Sequence, residues 1–137
     1  MLRLDELIFR SIDLMKDLFP SVNIEMNFEG FPSNESLLLI HANEPLILMA
    51  FNNLIKNAVQ YSSDNRVKIV VNVNDSGKEV RFMNAGGHFS IQEREKIFTP
   101  FYRAANSSAV KGYGLGLSLV KHILQLHRAS INYSYKG

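Results

Sequence analysis

Asn53 and Asn57 stand four residues apart in an otherwise largely apolar run, Asn53-Leu54-Ile55-Lys56-Asn57-Ala58. Just over one helical turn separates them, so on a helix both carboxamides project the same way. Asn is a poor helix former that prefers caps and turns, so two of them in mid-helix need a reason. One reason is a hard cation: an amide carbonyl oxygen can ligate Mg²⁺, which stays partly hydrated and bridges to substrate phosphates. The other is a pair satisfied structurally, and the spacing alone leaves both open. Further on, Gly112-Tyr113-Gly114-Leu115-Gly116-Leu117 precedes an amphipathic stretch. Glycines let backbone N–H groups approach a ligand, and a helix N-terminus adds roughly half a positive charge. That combination favours a phosphate, with a glycine-rich hinge as the alternative. The run lacks the Gly-Lys-Ser or Gly-Lys-Thr of a Walker A loop, and G-x-G-x-G is not the dinucleotide-binding spacing. Between these two lies Asn84-Ala85-Gly86-Gly87-His88. A polar side chain at a strand end beside glycines can hydrogen-bond a flat heterocycle edge-on, or form a plain turn.

These residues need elements to position them. Leu4, Leu7, Ile8, Leu14, Met15 and Leu18 recur near helical spacing before Pro20, which predicts a first helix. Val22, Ile24, Met26 and Phe28 alternate and predict a strand ended by Gly30 and Pro32. The run Leu37–Ile40 predicts a short buried strand. Asn43 then stands as a helix cap with Pro45 in the first turn, and the apolar positions run from Leu46 to Val59. Val67, Ile69, Val71 and Val73 alternate, Asn74 to Gly77 supplies a turn, and Val80 and Phe82 return, which predicts a β-hairpin. A short helix is predicted over Ile91 to Ile97, a mobile loop over Ala104 to Val110, a helix from Leu115 to Leu126 and a last strand from Ile131 to Tyr135. No helix separates the two central strands, so the pattern is not a βαβ repeat. The predicted class is α+β: a two-layer sandwich with a mixed, mostly antiparallel sheet and helices on one face.

The 137 residues suit one domain over 1–137 with one core. A formal net charge of +2 and no basic run interleaved with aromatics argue against nucleic acid. The absence of cysteine excludes disulfides and thiolate metal sites. No stretch approaches the ~20 apolar residues of a membrane span, so no membrane contact is expected of this chain itself.

Taken in order, Asn53 to Ala58, Asn84 to Gly86, Ile97-Phe98-Thr99-Pro100-Phe101-Tyr102-Arg103 and Gly112 to Leu117 resemble four boxes of one family. The chain resembles the catalytic, ATP-binding domain of sensor histidine kinases, in the superfamily shared with gyrase, the Hsp90 chaperones and MutL. The resemblance covers nearly the whole chain and implies the Bergerat ATP-binding fold, with ATP and Mg²⁺ as cofactors. It makes Asn57 the Mg²⁺ ligand with Asn53 beside it, and gives Tyr61, Asn84 and Gly86 to the adenine pocket. Phe98 and Phe101 would anchor a lid over Tyr102 to Tyr113, mobile without ligand, with Arg103 or Lys111 offering cations. Gly112, Gly114, Leu115 and Gly116 would wrap the phosphates. The implied partners are the protein's own dimerisation and phosphoacceptor domain and, indirectly, a response regulator. That domain would lie upstream, and both it and a final strand are expected outside this sequence. The implied location is cytoplasmic, as part of a membrane-bound sensor.

Departures sharpen the chemistry. Asn84 stands where the family usually has Asp, so its amide oxygen would accept from adenine without the charge. His88 replaces a glycine, and Gln60 stands where many members have a phosphate-contacting Lys. ATP-hydrolysing cousins carry Glu at the place of Asn53; an amide cannot take a proton from water, so slow or negligible hydrolysis is expected. None of His41, His88, His122 and His127 is followed by Glu or Asp, so the phosphoacceptor is expected elsewhere, and His122 and His127 are expected to be structural. Two other readings are a non-catalytic nucleotide-binding regulatory module and a serine kinase of the anti-sigma type, which Asn53 disfavours.

Overall fold

The computed structural model describes residues 1–87, 89–94, 96–100 and 116–135. A two-residue strand β1 (Leu2–Arg3) leads into helix α1 (Leu4–Leu18), followed by β2 (Asn23–Phe28) and a short β3 (Leu39–Ile40). Helix α2 (Glu44–Tyr61) precedes the hairpin β4 (Arg66–Asn74) and β5 (Gly77–Asn84), and helices α3 (Ile91–Arg94) and α4 (Gly116–Leu126) complete the set.

The expected helix start at Asn43 is realised by its side chain, whose Oδ1 accepts from Leu46 N at 3.1 Å, satisfying one of the helix's orphan donors. Helix α3 opens on a reciprocal cap: Glu93 N donates to Ser90 Oγ (3.1 Å) and Ser90 N to Glu93 Oε1 (3.0 Å). The helix is described over Ile91–Arg94, whereas Lys96 to Phe98, within or beside the expected span to Ile97, are turn residues, with Lys96 N and Ile97 N donating to Glu93 O.

The sheet has order β2-β4-β5, with β2 parallel and β5 antiparallel to β4, while β1 and β3 form a separate antiparallel pair. Val67, Ile69, Val71 and Val73 of β4 all point to one face and are buried there, as the period of two requires. Register puts Ile24, Met26 and Phe28 on that face from one side, and Val80, Phe82 and Asn84 from the other. Against it pack Leu7, Ile8 and Ile12 of α1, Ala50, Phe51 and Ile55 of α2, and Val120 and Ile123 of α4. The helices thus cover one face of a mixed sheet.

Two sequence expectations are corrected. Leu37–Ile40 is not one strand: Asn34 Oδ1 accepts from Ser36 N at 3.0 Å and turns the chain into a 3-10 helix over Glu35–Leu38, leaving only Leu39 and Ile40 as strand. That is the competition between a short polar side chain and the ladder. Residues 131–135 form no strand, and no described strand ladder includes them. Ile131 packs on the main core and Tyr133 on a second, smaller cluster, so side chains rather than a ladder dock this segment. Leu14 and Leu18 are exposed, because the buried stripe of α1 runs through Leu4, Ile8, Ser11 and Met15, and they flank it at the far end.

Candidate nucleotide site

Helix α2 is the spine of the site. Asn53 and Asn57 sit half-buried one turn apart, with Tyr61 one turn further on. Asn53 Nδ2 donates to Met49 O at 2.8 Å, the back-bond to the preceding turn that lets a polar side chain live inside a helix. This commits the nitrogen and leaves Oδ1 to face away from it. A β-carbon placed on Gly116 would lie 3.1 Å from that Oδ1. The first residue of α4 therefore rests against the first asparagine, and two segments 63 positions apart meet.

A second junction lies at the end of α2. Ser63 N donates to Ala85 O at 2.8 Å, and Gly86 lies so close that a β-carbon there would be 2.3 Å from the carbonyl oxygen of Tyr61. Its φ of +144° adds a conformation that L side chains rarely adopt. Glycine is required at 86 for both reasons. Asn84, exposed at the end of β5, donates through Nδ2 to Ala85 O at 3.2 Å, which leaves its Oδ1 as the acceptor.

The wall beyond Tyr61 is aromatic. Phe89 meets Tyr61 edge-on with centroids 5.8 Å apart and Tyr133 at 4.9 Å. Ile97, Phe98 and Leu117 join this cluster, so Phe98 and the start of α4 pack on the same buried residues. Phe101, Arg103, Lys111, Gly112, Gly114, Leu115 and His88 lie outside the described residues, as does the stretch 102–113 expected to form the lid.

The described donors suit a hard cation. Asn53 and Asn57 offer neutral amide oxygens, the ligand type that Mg²⁺ accepts alongside water and phosphate. Among the described residues no group of three or more His, Cys, Asp and Glu could hold a metal on its own. Of the described side chains, the two amides are the donors a cation here would use.

Residues 42–137 match the family model of the histidine kinase-, DNA gyrase B- and HSP90-like ATPases. The chain belongs to this family. The sensor histidine kinase HprS of Escherichia coli K12 is 38% identical over 96 residues, covering 70% of this chain and 21% of HprS. The chain thus spans about a fifth of the length of that relative. The catalytic domain of the histidine kinase ThkA, in a nucleotide-free form, superposes with a TM-score of 0.72 at 29% identity, over 92% of this chain and 79% of that one. The mycobacterial sensor histidine kinase MprB shares the fold, with a TM-score of 0.80 at 24% identity over 93% of this chain and 80% of its own. In this family the module is the ATP-binding, catalytic one, which fits the junctions built around α2.

Neighbouring side chains with no part in the site explain themselves structurally. Asn52 turns away from Asn53 and accepts from the buried Ser11 hydroxyl, tying α1 to α2. His127 Nε2 accepts from Asn43 N at 3.0 Å, so the proton sits on Nδ1, which donates to Ile123 O at 2.7 Å. That ring closes the end of α4 on the start of α2, whereas His122 is exposed. Sequence reading named neither Asn52 nor the Phe89–Tyr133 contact. An Asn beside the motif Asn carries no signal of its own. No helix among the described residues is long and apolar enough to cross a membrane.

Proposed function

We propose that this chain binds ATP with Mg²⁺ and presents the γ-phosphate to a histidine on a separate dimerisation and phosphoacceptor domain of the same sensor kinase. The observation that carries the reading is the approach of Gly116 to Asn53, which sets the end of the glycine-rich run beside the asparagine pair. Asn57, with Asn53 beside it, would hold Mg²⁺, whose charge would offset that of the phosphates. Tyr61, Asn84 and Gly86 would receive adenine, Asn84 Oδ1 accepting from its amino group. Gly112, Gly114, Leu115 and Gly116 would offer backbone N–H groups to the phosphates, with Arg103 and Lys111 as cations. In the transfer, the acceptor imidazole nitrogen forms the P–N bond as the bond from γ-phosphorus to the bridging oxygen breaks and ADP leaves. Positioning and electrostatics are the chain's share of that step. With an amide at position 53 and no base there to deprotonate water, hydrolysis stays slow and the phosphate is kept for the acceptor. The setting would be the cytoplasmic side of a sensor, with a response regulator downstream.

Calorimetry with ATP, with and without Mg²⁺, followed by transfer of labelled phosphate to the protein's own dimerisation domain, tests this. Asn57→Ala should lower affinity about tenfold in Mg²⁺ and little without it, the worth of one strong polar contact to a charged group. Label on a histidine supports the kinase. Tight ATP binding without transfer supports instead a regulatory nucleotide-binding module, the reading that Asn84, His88 and Gln60 motivate. No nucleotide binding by the folded chain defeats both.

A further inference from the structure

Phe89 is buried, lies two residues beyond Gly87 in the sequence, and has both of its backbone polar groups held by side chains from elsewhere. Its N–H donates to Tyr133 Oη at 2.9 Å, and its carbonyl accepts from Arg94 Nε at 3.3 Å. The same Arg94 guanidinium lies 5.5 Å from the centre of the Tyr133 ring, within cation–π range. Tyr133 in turn meets Phe89 edge-on at 4.9 Å and 64°. Three residues from three segments therefore close on one another, and Phe89 passes the arrangement on through its edge contact with Tyr61. An aromatic ring has few rotamers, so fixing the Phe89 backbone and one ring neighbour fixes the surface it shows to Tyr61. Gly86, pressed against the Tyr61 carbonyl, fixes the same wall from the backbone side.

We infer that Tyr133, with Arg94, is a positioning residue for the base-binding wall: it sets Phe89, and Phe89 sets Tyr61, without touching nucleotide. The inference rests on the ATP-binding reading above and extends it to residues outside the four boxes. Its consequence is selective. Losing the Tyr133 hydroxyl loosens the wall that receives the base and leaves the asparagine pair and the start of α4 in place.

Tyr133→Phe is the informative variant, because it keeps the ring and removes one hydrogen bond. ATP affinity should fall about three- to tenfold, as one such bond predicts, while affinity for inorganic tripolyphosphate with Mg²⁺ stays at the wild-type value. The Phe89 amide should exchange with solvent faster in the variant, read by NMR without any nucleotide. Arg94→Gln should act in the same direction. Unchanged ATP affinity in Tyr133→Phe, or a parallel loss for ATP and tripolyphosphate, overturns the inference. Failure of the wild-type chain to bind ATP is a separate result that defeats the functional reading itself, and it is seen before any variant is made.

Discussion

Among the described residues, two clusters of buried side chains are built on different terms. The larger joins α1, α2, α4 and the inner face of the sheet through aliphatic residues such as Leu7, Ile8, Ile55, Ile69 and Val71, all at or below 1% exposure. The smaller centres on Phe89 and Ile97 and is rimmed by Phe98, Leu117 and Tyr133. Aliphatic burial is non-directional and scales with area removed from water, so the first cluster sets the fold and little else. Among the described residues the second is small, and directional contacts run through it: the Tyr133 hydroxyl, Arg94 Nε and edge-on rings. The difference teaches where stability and recognition separate. Changes in the first cluster should lower stability and carry binding down only as the folded fraction falls. Changes in the second should lower binding while the fold survives.

The largest expected effect comes from Ile55→Ala. Ile55 is fully buried on α2, between the two asparagines but on the opposite side. Truncating it leaves a cavity under the sheet and should cost about 2–5 kcal/mol in urea denaturation. ATP affinity, measured where the variant is still folded, should stay within about twofold of wild type. A variant that unfolds normally yet loses ATP would break the separation.

Gly86→Ala should produce the converse. Its β-carbon cannot sit 2.3 Å from the Tyr61 carbonyl oxygen, so the glycine turn and the end of α2 must part. A strained backbone position of this kind costs on the order of 1–3 kcal/mol. That is less than the cavity, but the displacement falls on the Tyr61 wall. ATP affinity should drop about tenfold or more, well beyond what the stability loss explains. Equal affinity in the variant would show that the turn and the helix end are independent of the base site.

Much of this division is legible in the sequence. Alternation at Val67 to Val73 and the capped run after Asn43 both place the main scaffold, because burial imposes a period and orphan N–H groups demand a cap. The spacing of Asn53 and Asn57 gives the shared face directly. The errors have physical causes. Asn34 diverts Leu37 and Leu38 by a local hydrogen bond that apolar patterning does not register. Ile131 to Tyr135 alternates like a strand, yet docks through Tyr133 and Ile131 side chains. The partner of Tyr133 is a backbone N–H 44 positions away, and no local pattern announces a contact that only the fold creates. The residues around Phe89 were therefore the part of the candidate site least visible from sequence, and the reciprocal Ser90–Glu93 cap that places Arg94 was likewise seen only in the structure.

The smallest expected effect lies at the far edge of the larger cluster and is a matter of pH. Asp5, buried in the first turn of α1, takes two bonds from Arg3, Nε at 3.0 Å and Nη2 at 2.8 Å. The guanidinium's hydrogen bonds hold the carboxyl below its ordinary 3.8, against the opposing pull of burial. The unfolded chain therefore binds this proton more readily than the folded one. The resulting stabilisation is complete above about pH 4 and is lost as pH falls through the lowered folded value. Asp5→Asn, which cannot ionise, should be slightly less stable than wild type at pH 7. Its urea midpoint should converge on the wild-type value as the pH is taken below 4, and its ATP affinity at pH 7 should be unchanged. Parallel midpoints across that range would mean that the pair contributes nothing through charge. A loss of ATP affinity would mean that the larger cluster reaches the site by a route other than the folded fraction. That second outcome would do more damage to the division between the two clusters, since Asp5 belongs to α1, whose buried stripe packs in the larger cluster and not in the smaller one.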